Sequence, residues 1–121
     1  MLPKSYRIRK QKEFDLIYKE HKSLNSQNLQ IYLRYVNSKE RVIYPERTYP
    51  RFGFVLSKKI GNAVERNRVK RLLREIIRLT LPKLKDNFEA LVIPFPQIVN
   101  ATYYELETEI INTLKSYNLY K

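Results

Sequence analysis

The stretch Lys58-Lys59-Ile60-Gly61-Asn62-Ala63-Val64-Glu65-Arg66-Asn67-Arg68-Val69-Lys70-Arg71-Leu72-Leu73-Arg74-Glu75-Ile76-Ile77-Arg78 decides how this chain is read. It sets eight basic residues against two acids in 21 positions, yet it keeps an apolar stripe at helical spacing. At about 100° per residue, Val69, Leu72, Leu73, Ile76 and, less centrally, Ile77 share one side. Lys70, Arg74 and Arg78 step along the other side at i, i+4 spacing, with Asn67 and Arg71 beside them. Arg66 and Arg68 flank this ridge in the first turns, Arg66 close to the edge of the stripe. One face is predicted to enter a core while the other presents a ridge of cations suited to a phosphate backbone. Helix-surface pairs stabilise only when their signs differ. Arg66, Lys70, Arg74 and Arg78 repel one another, which points to an external anion rather than a merely solvated face.

The same stretch carries its own boundaries. Asn62 is a strong N-cap with Glu65 at N3, a capping-box arrangement, and Pro82 stops the helix near Leu81. Upstream, a helix is predicted from about Lys12 to His21, with Phe14, Ile17, Tyr18 and His21 on one side. Asn28 to Val36 alternates as a half-buried strand, Leu29, Ile31, Leu33 and Tyr35 facing one way and Gln30, Tyr32, Arg34 and Val36 the other. Residues 37–50 hold two prolines amid charge and read as a long exposed connection, with room for a short strand within 41–49. Arg51 to Ser57 is a second strand. Downstream, the nearly continuous apolar run Phe88 to Ile93 suits a strand buried on both faces, ended by Pro94. Thr102 and Glu105 form a second capping box, opening a helix that turns Leu106, Ile110, Ile111 and Leu114 inward.

Composition narrows the function. The chain has 121 residues, a length suited to one domain, and a net charge of +12. Residues 1–78 carry 20 Lys/Arg against 7 Asp/Glu, whereas residues 79–121 carry 4 against 5. Such asymmetry marks a polyanion-binding half. Binding to a membrane surface is disfavoured, because the basic helix has only aliphatic residues on its apolar face and no Trp or Phe anchor. The longest apolar runs, Phe52 to Leu56 and Ala90 to Phe95, fall well short of the ~20 residues that span a bilayer. The start lacks the apolar core of a secretory signal, and the chain has no cysteine, which fits a reducing cytoplasm.

Material for catalysis is poor. The single histidine, His21, supplies neither a triad nor a ligand set and reads as exposed or partly packed. Glu105 and Glu109 share a helix side without a His or Asp to join them, and read as solvated. The two glycines form no phosphate loop. Phe14, Tyr18 and Tyr32 are more suggestive. If the first helix borders the Tyr32 face of its strand, the three rings line an open groove able to stack unpaired bases; ordinary core packing is the competing reading. Phosphate contacts by themselves do not separate RNA from DNA.

Ser57-Lys58-Lys59-Ile60-Gly61-Asn62-Ala63-Val64, followed by Arg66-Asn67-Arg68, Lys70-Arg71 and Arg74-Glu75, resembles the signature of the bacterial ribonuclease P protein subunit. The likeness extends to Arg7–Tyr18, the strand around Tyr32 and the tail Thr102–Tyr120, and is weakest over residues 37–50, where this chain is longer. It implies an α+β fold, a single RNA-binding domain over residues 1–121. The architecture would be a two-layer sandwich with a mixed sheet of about four strands, an N-terminal helix, the basic helix in a left-handed β-α-β crossover and a C-terminal helix. It implies three consecutive strands before the basic helix. Its partners would be the catalytic RNA of ribonuclease P and precursor tRNA, in the cytoplasm, with no membrane and no DNA. Lys58, Lys59, Asn62, Arg66, Asn67, Arg68, Lys70, Arg71 and Arg74 would hold the RNA subunit. Phe14, Tyr18, Tyr32 and Arg34 would line the path of the 5′ leader. Hydrolysis would belong to the RNA and its Mg²⁺, with no metal, cofactor or catalytic residue in the protein. Two other readings stand beside it: a basic ribosome-associated or assembly protein, and, less well supported, a metal-dependent protein nuclease.

Overall fold

Alternating side chains build the sheet. The computed structural model describes residues 2–121. Its main elements are α1 (Gln11–Lys19), β1 (Lys22–Asn25), β2 (Leu29–Tyr35), α2 (Ser38–Ile43), β3 (Arg51–Phe54), α3 (Ala63–Thr80), β4 (Phe88–Pro94) and α4 (Tyr103–Ser116). The four strands lie in the order β1-β2-β4-β3, antiparallel except for the parallel pair β3-β4. β4 is therefore central, and α3 is the crossover between two neighbouring parallel strands.

One face of the sheet carries Leu24, Leu29, Ile31, Leu33, Phe52, Phe88, Ala90 and Val92. It packs against Val69, Leu73, Ile76 and Ile77 of α3 and Leu106, Ile110 and Leu114 of α4 in one continuous core. Ile111 is only half-buried. α1 crosses part of the opposite face, where Ile8, Ile17 and Leu91 form a smaller cluster with Phe14, Tyr32, Val55 and Ile93. Gly53 permits this approach, since a Cβ there would stand 2.8 Å from Leu91 Cδ2 and 3.0 Å from Phe14 Cε1. The N-terminal segment runs along the free edge of β3, where Ile8 N donates to Phe52 O at 2.9 Å.

Both predicted capping boxes are present. Glu65 N donates to Asn62 Oδ1 at 2.9 Å and Asn62 N to Glu65 Oε1 at 3.2 Å. At α4, Thr102 N donates to Glu105 Oε1 at 2.9 Å and Glu105 N to Thr102 Oγ1 at 3.1 Å.

Two expectations are corrected. The predicted short strand within 41–49 is absent; the segment folds as α2, with Asn37 Oδ1 accepting from Glu40 N at 3.0 Å. The additional strand is β1, in a hairpin with β2 on the far side of the sheet. Glu109 is not solvated. Its carboxylate accepts from Ser26 Oγ, Asn28 N and Asn28 Nδ2, locking the β1-β2 turn onto α4. Smaller departures sit at the ends: α1 stops at Lys19, β3 at Phe54, and Tyr35, at the last position of β2, is 55% exposed.

Candidate nucleic-acid interface

α3 buries its stripe and exposes its ridge. Val69, Leu73, Ile76 and Ile77 are each 0–1% exposed, whereas Asn67, Arg68 and Arg71 face solvent and Lys70 and Arg74 are half-buried. Among the described residues the ion pairing on this helix is that of Arg78 with Glu75, at 2.6 Å. Arg78 thus leaves the repulsive row in which its spacing had put it. Burial, then Arg74 and Arg7, lowers the affinity of Lys70 for its proton below the ordinary lysine value. Arg74 is lowered by burial and by Arg7. Uncompensated positive charge is therefore concentrated at Lys70 and Arg74.

The entry to α3 is built from Gly61. Its φ of 150° lies in a region that side chains avoid, and a Cβ would meet the Glu65 carboxylate. The sharp turn carries the exposed Lys58 and Lys59 beside the first helical turn. Arg66 Nη1 donates to Gly61 O at 2.8 Å and Arg68 Nη2 to Val99 O at 2.9 Å. Each bond uses one of the five guanidinium donors and leaves the others for further partners. The nine basic-motif residues, from Lys58 to Arg74, are thus gathered on one helix and the turn before it.

The second surface lies on the opposite face of the sheet. Tyr18, 42% exposed, meets Tyr32 edge-on with ring centroids 6.0 Å apart. His21 stacks on Tyr32 at 3.9 Å and 15°. Its Nδ1 lies 2.8 Å from Ile17 O and 3.0 Å from Tyr18 O. Both neighbours are acceptors, so Nδ1 carries a proton and the ring caps the end of α1. Burial first, then Tyr32 and Asp15, pushes the Tyr18 hydroxyl above the ordinary tyrosine value, leaving a neutral donor. Phe14 is half-buried and packs against the small core of Ile8, Ile17 and Leu91. His21, which its sequence context marks only as a bystander, covers one face of Tyr32; the spacing of three and four residues from Tyr18 and Ile17 was the available signal.

Arg34 is placed differently from the expectation of a groove cation. Its side chain is 10% exposed and held by Glu40 and by Glu89, the latter at 2.9 Å. Burial opposes the charge, but Glu40 and then Glu89 raise the guanidinium's proton affinity well above its ordinary value. Glu89, 2% exposed, also accepts from Arg51 at 3.1 Å. Arg51 in turn donates to Glu13, at 3.1 Å, and Arg47 donates to Glu13 at 2.7 Å. Burial raises the Glu13 pKa, but Arg51 and the amides of Lys10 and Arg9 outweigh it and lower the carboxyl below its ordinary value. This chain of charges ties α1, β2, α2, β3 and β4 together.

These carboxylates do not suit a Mg²⁺ site, because arginines already occupy them. Among the described residues no group of three or more His, Asp or Glu side chains is arranged to hold a metal. No helix among them is long and apolar enough to cross a membrane.

Comparison with known proteins agrees with this architecture. The ribonuclease P family profile matches residues 2–118. The ribonuclease P protein component of Finegoldia magna is 33% identical over 114 residues, covering 94% of this chain and 92% of its own. That of Alkaliphilus oremlandii is 36% identical over 113 residues, covering 93% and 91%. The ribonuclease P protein of Staphylococcus aureus superposes with a TM-score of 0.79 at 28% identity, covering 96% of this chain and 98% of its own. That of Thermotoga maritima gives 0.76 at 29%, covering 91% and 96%. A buried helix with a cationic ridge, on this mixed sheet and over this length of matched sequence, identifies the chain as a member of the ribonuclease P protein family, a component of that tRNA-processing endoribonuclease.

Proposed function

We propose that the chain acts as a single RNA-binding domain that grips the catalytic RNA of ribonuclease P through the α3 ridge. The 5′ leader of precursor tRNA would lie along the aromatic surface beside α1. The observation that carries this reading is the like-charged outer face of α3. Among the described residues, Lys70, Arg71 and Arg74 stand there without ion-paired acids, on a helix that buries Val69, Leu73, Ile76 and Ile77 and half-buries Leu72 on its inner face. Each phosphate neutralised there releases counterions and relieves the repulsion among the side chains. The RNA supplies the Mg²⁺ chemistry of phosphodiester hydrolysis. The protein's part is to hold strands together, to screen their charge and to favour substrate over product. These RNA partners place its work in the cytoplasm.

A protein with Arg66, Arg68 and Lys70 all replaced by alanine is expected to bind the RNA subunit more weakly. Its log–log salt slope should be flatter by about 0.7–0.9 for each phosphate no longer neutralised. Filter binding across a salt series measures this, and an unchanged slope in a folded triple variant would remove the ridge from the interface.

The leader surface is tested with Tyr18, the most open ring of the group. Tyr18→Ala should weaken holoenzyme binding of precursor tRNA by about 1–3 kcal/mol, the worth of one stacked base. Mature tRNA, which has no leader, should bind unchanged. Equal weakening of precursor and mature tRNA would exclude base stacking at this ring.

A further inference from the structure

Beside the N-terminal end of α1 the segment Lys4–Lys10 faces the turn Tyr44–Arg47 across a cleft of about 220 Å³. Six cations line it, Lys4, Arg7, Arg9, Lys10, Arg47 and Arg51, against the two acids Glu13 and Glu46. Glu13 is already engaged by Arg47 and Arg51, and Glu46 is exposed at the rim. Arg51 is 4% exposed. Its Nε and that of Arg7 are buried without an acceptor among the described residues. Arg47 lies over the Tyr44 ring at 3.6 Å, which holds this side of the cleft in place. Arg7 also acts on Lys70 and Arg74 of α3, lowering the proton affinity of both. The cleft therefore joins the α3 ridge electrostatically at Arg7, while its other end reaches the start of α1 at Lys10 and Glu13.

An ordinary solvated patch would intersperse both signs. Here positive charge converges on a concave site, and donors are left over inside it. We propose that this cleft is a second binding site for RNA phosphodiester groups, formed jointly by the N-terminal segment and the long connection between β2 and β3. The inference rests on the RNA-binding reading above and extends it to a surface outside the basic helix. It also gives the connection between β2 and β3 a role: the turn after α2 forms the far wall, anchored through Arg47 to Glu13, and α2 before it is held through Glu40 to Arg34. The phosphates come from the RNA subunit or from leader nucleotides beyond the stacked ones.

The test replaces the three exposed cations together, Lys4→Ala, Arg9→Ala and Lys10→Ala, in the full chain. The capping bonds to Glu13 come from the backbone amides of Arg9 and Lys10, so the fold should survive, as circular dichroism would verify. Two salt series follow, one for binding to the ribonuclease P RNA alone and one for holoenzyme binding of precursor tRNAs with short and long leaders. A slope flatter by about 0.7–0.9 per phosphate released in the first series assigns the cleft to the RNA subunit. Flattening confined to long-leader substrate assigns it to the leader. A charge-preserving protein, Lys4→Arg, Arg9→Lys and Lys10→Arg, should retain the slope, and Lys83→Ala, Lys115→Ala and Lys121→Ala together should leave it unchanged. If the cleft triple matches that remote triple in both series while the Arg66, Arg68 and Lys70 triple still flattens the slope, the second site is overturned and the reading of α3 stands. If neither flattens it, both fall.

Discussion

Replacing Glu89 by alanine is expected to cost about 3–5 kcal/mol of folding stability, the range for removing one member of a buried ion pair. Glu89 stands between Arg34 and Arg51 on the central strand, 2.9 Å from one guanidinium and 3.1 Å from the other. Without it, two arginines whose side chains are 10% and 5% exposed lose a shared counter-charge. Arg34 keeps Glu40, and Arg51 keeps Glu13, so the chain of charges is weakened at its centre rather than dissolved. Urea unfolding monitored by circular dichroism measures the loss. A midpoint shift worth less than about 1 kcal/mol, the range of exposed pairs, would show that water reaches the network and that it is not structural. The orientation of α1 over the sheet depends on the same network through Glu13, so leader discrimination should suffer with it.

Leu73→Ala should cost about 2–5 kcal/mol, since it removes a fully buried side chain and leaves a cavity. Leu73 is 0% exposed in the middle of the α3 stripe, one residue from Arg74 on the outer face. RNA affinity and salt slope of the folded fraction should be nearly normal, because the ridge is untouched. The two effects separate the sides of one helix: stability on the inner, polyanion affinity on the outer. An unaltered melting temperature combined with abolished RNA binding would mean that α3 is turned the other way.

What could be read in advance was local. The stripe of α3, the boxes at Asn62-Glu65 and Thr102-Glu105, and the two-residue alternation of Leu29, Ile31 and Leu33 each depend on neighbours within a few positions. β1 escaped because its four residues contain a single apolar side chain, Leu24, and alternation needs more than one. α2 escaped through its length of six residues, although Asn37 with Glu40 three positions later was a legible cap. Arg34 was expected in the groove through the family resemblance. Its restraint comes from Glu89, 55 positions away, and pairing register cannot be deduced from one strand. Helix and strand periods put Tyr18 and His21 on one side of α1 and Tyr32 on one face of β2, whereas the meeting of these rings required the path of the chain between the two elements.

The placing of β4 bears on how the protein is made. Phe88–Pro94 is the last strand in sequence and yet lies between β2 and β3, so the β1-β2 hairpin and β3 are not joined until it emerges from the ribosome. A nascent chain that ends before Phe88 already holds every cation of the basic half but has no middle to its sheet. Long-range pairing of this kind delays assembly relative to local helix formation. A fragment of residues 1–87 is accordingly expected to be digested rapidly by protease and to bind RNA without preference for any sequence or shape. Protease resistance in that fragment would show that the hairpin and α3 can assemble without their central strand. Selective RNA binding is thus expected only once β4, residues 88–94, is in place between its neighbours.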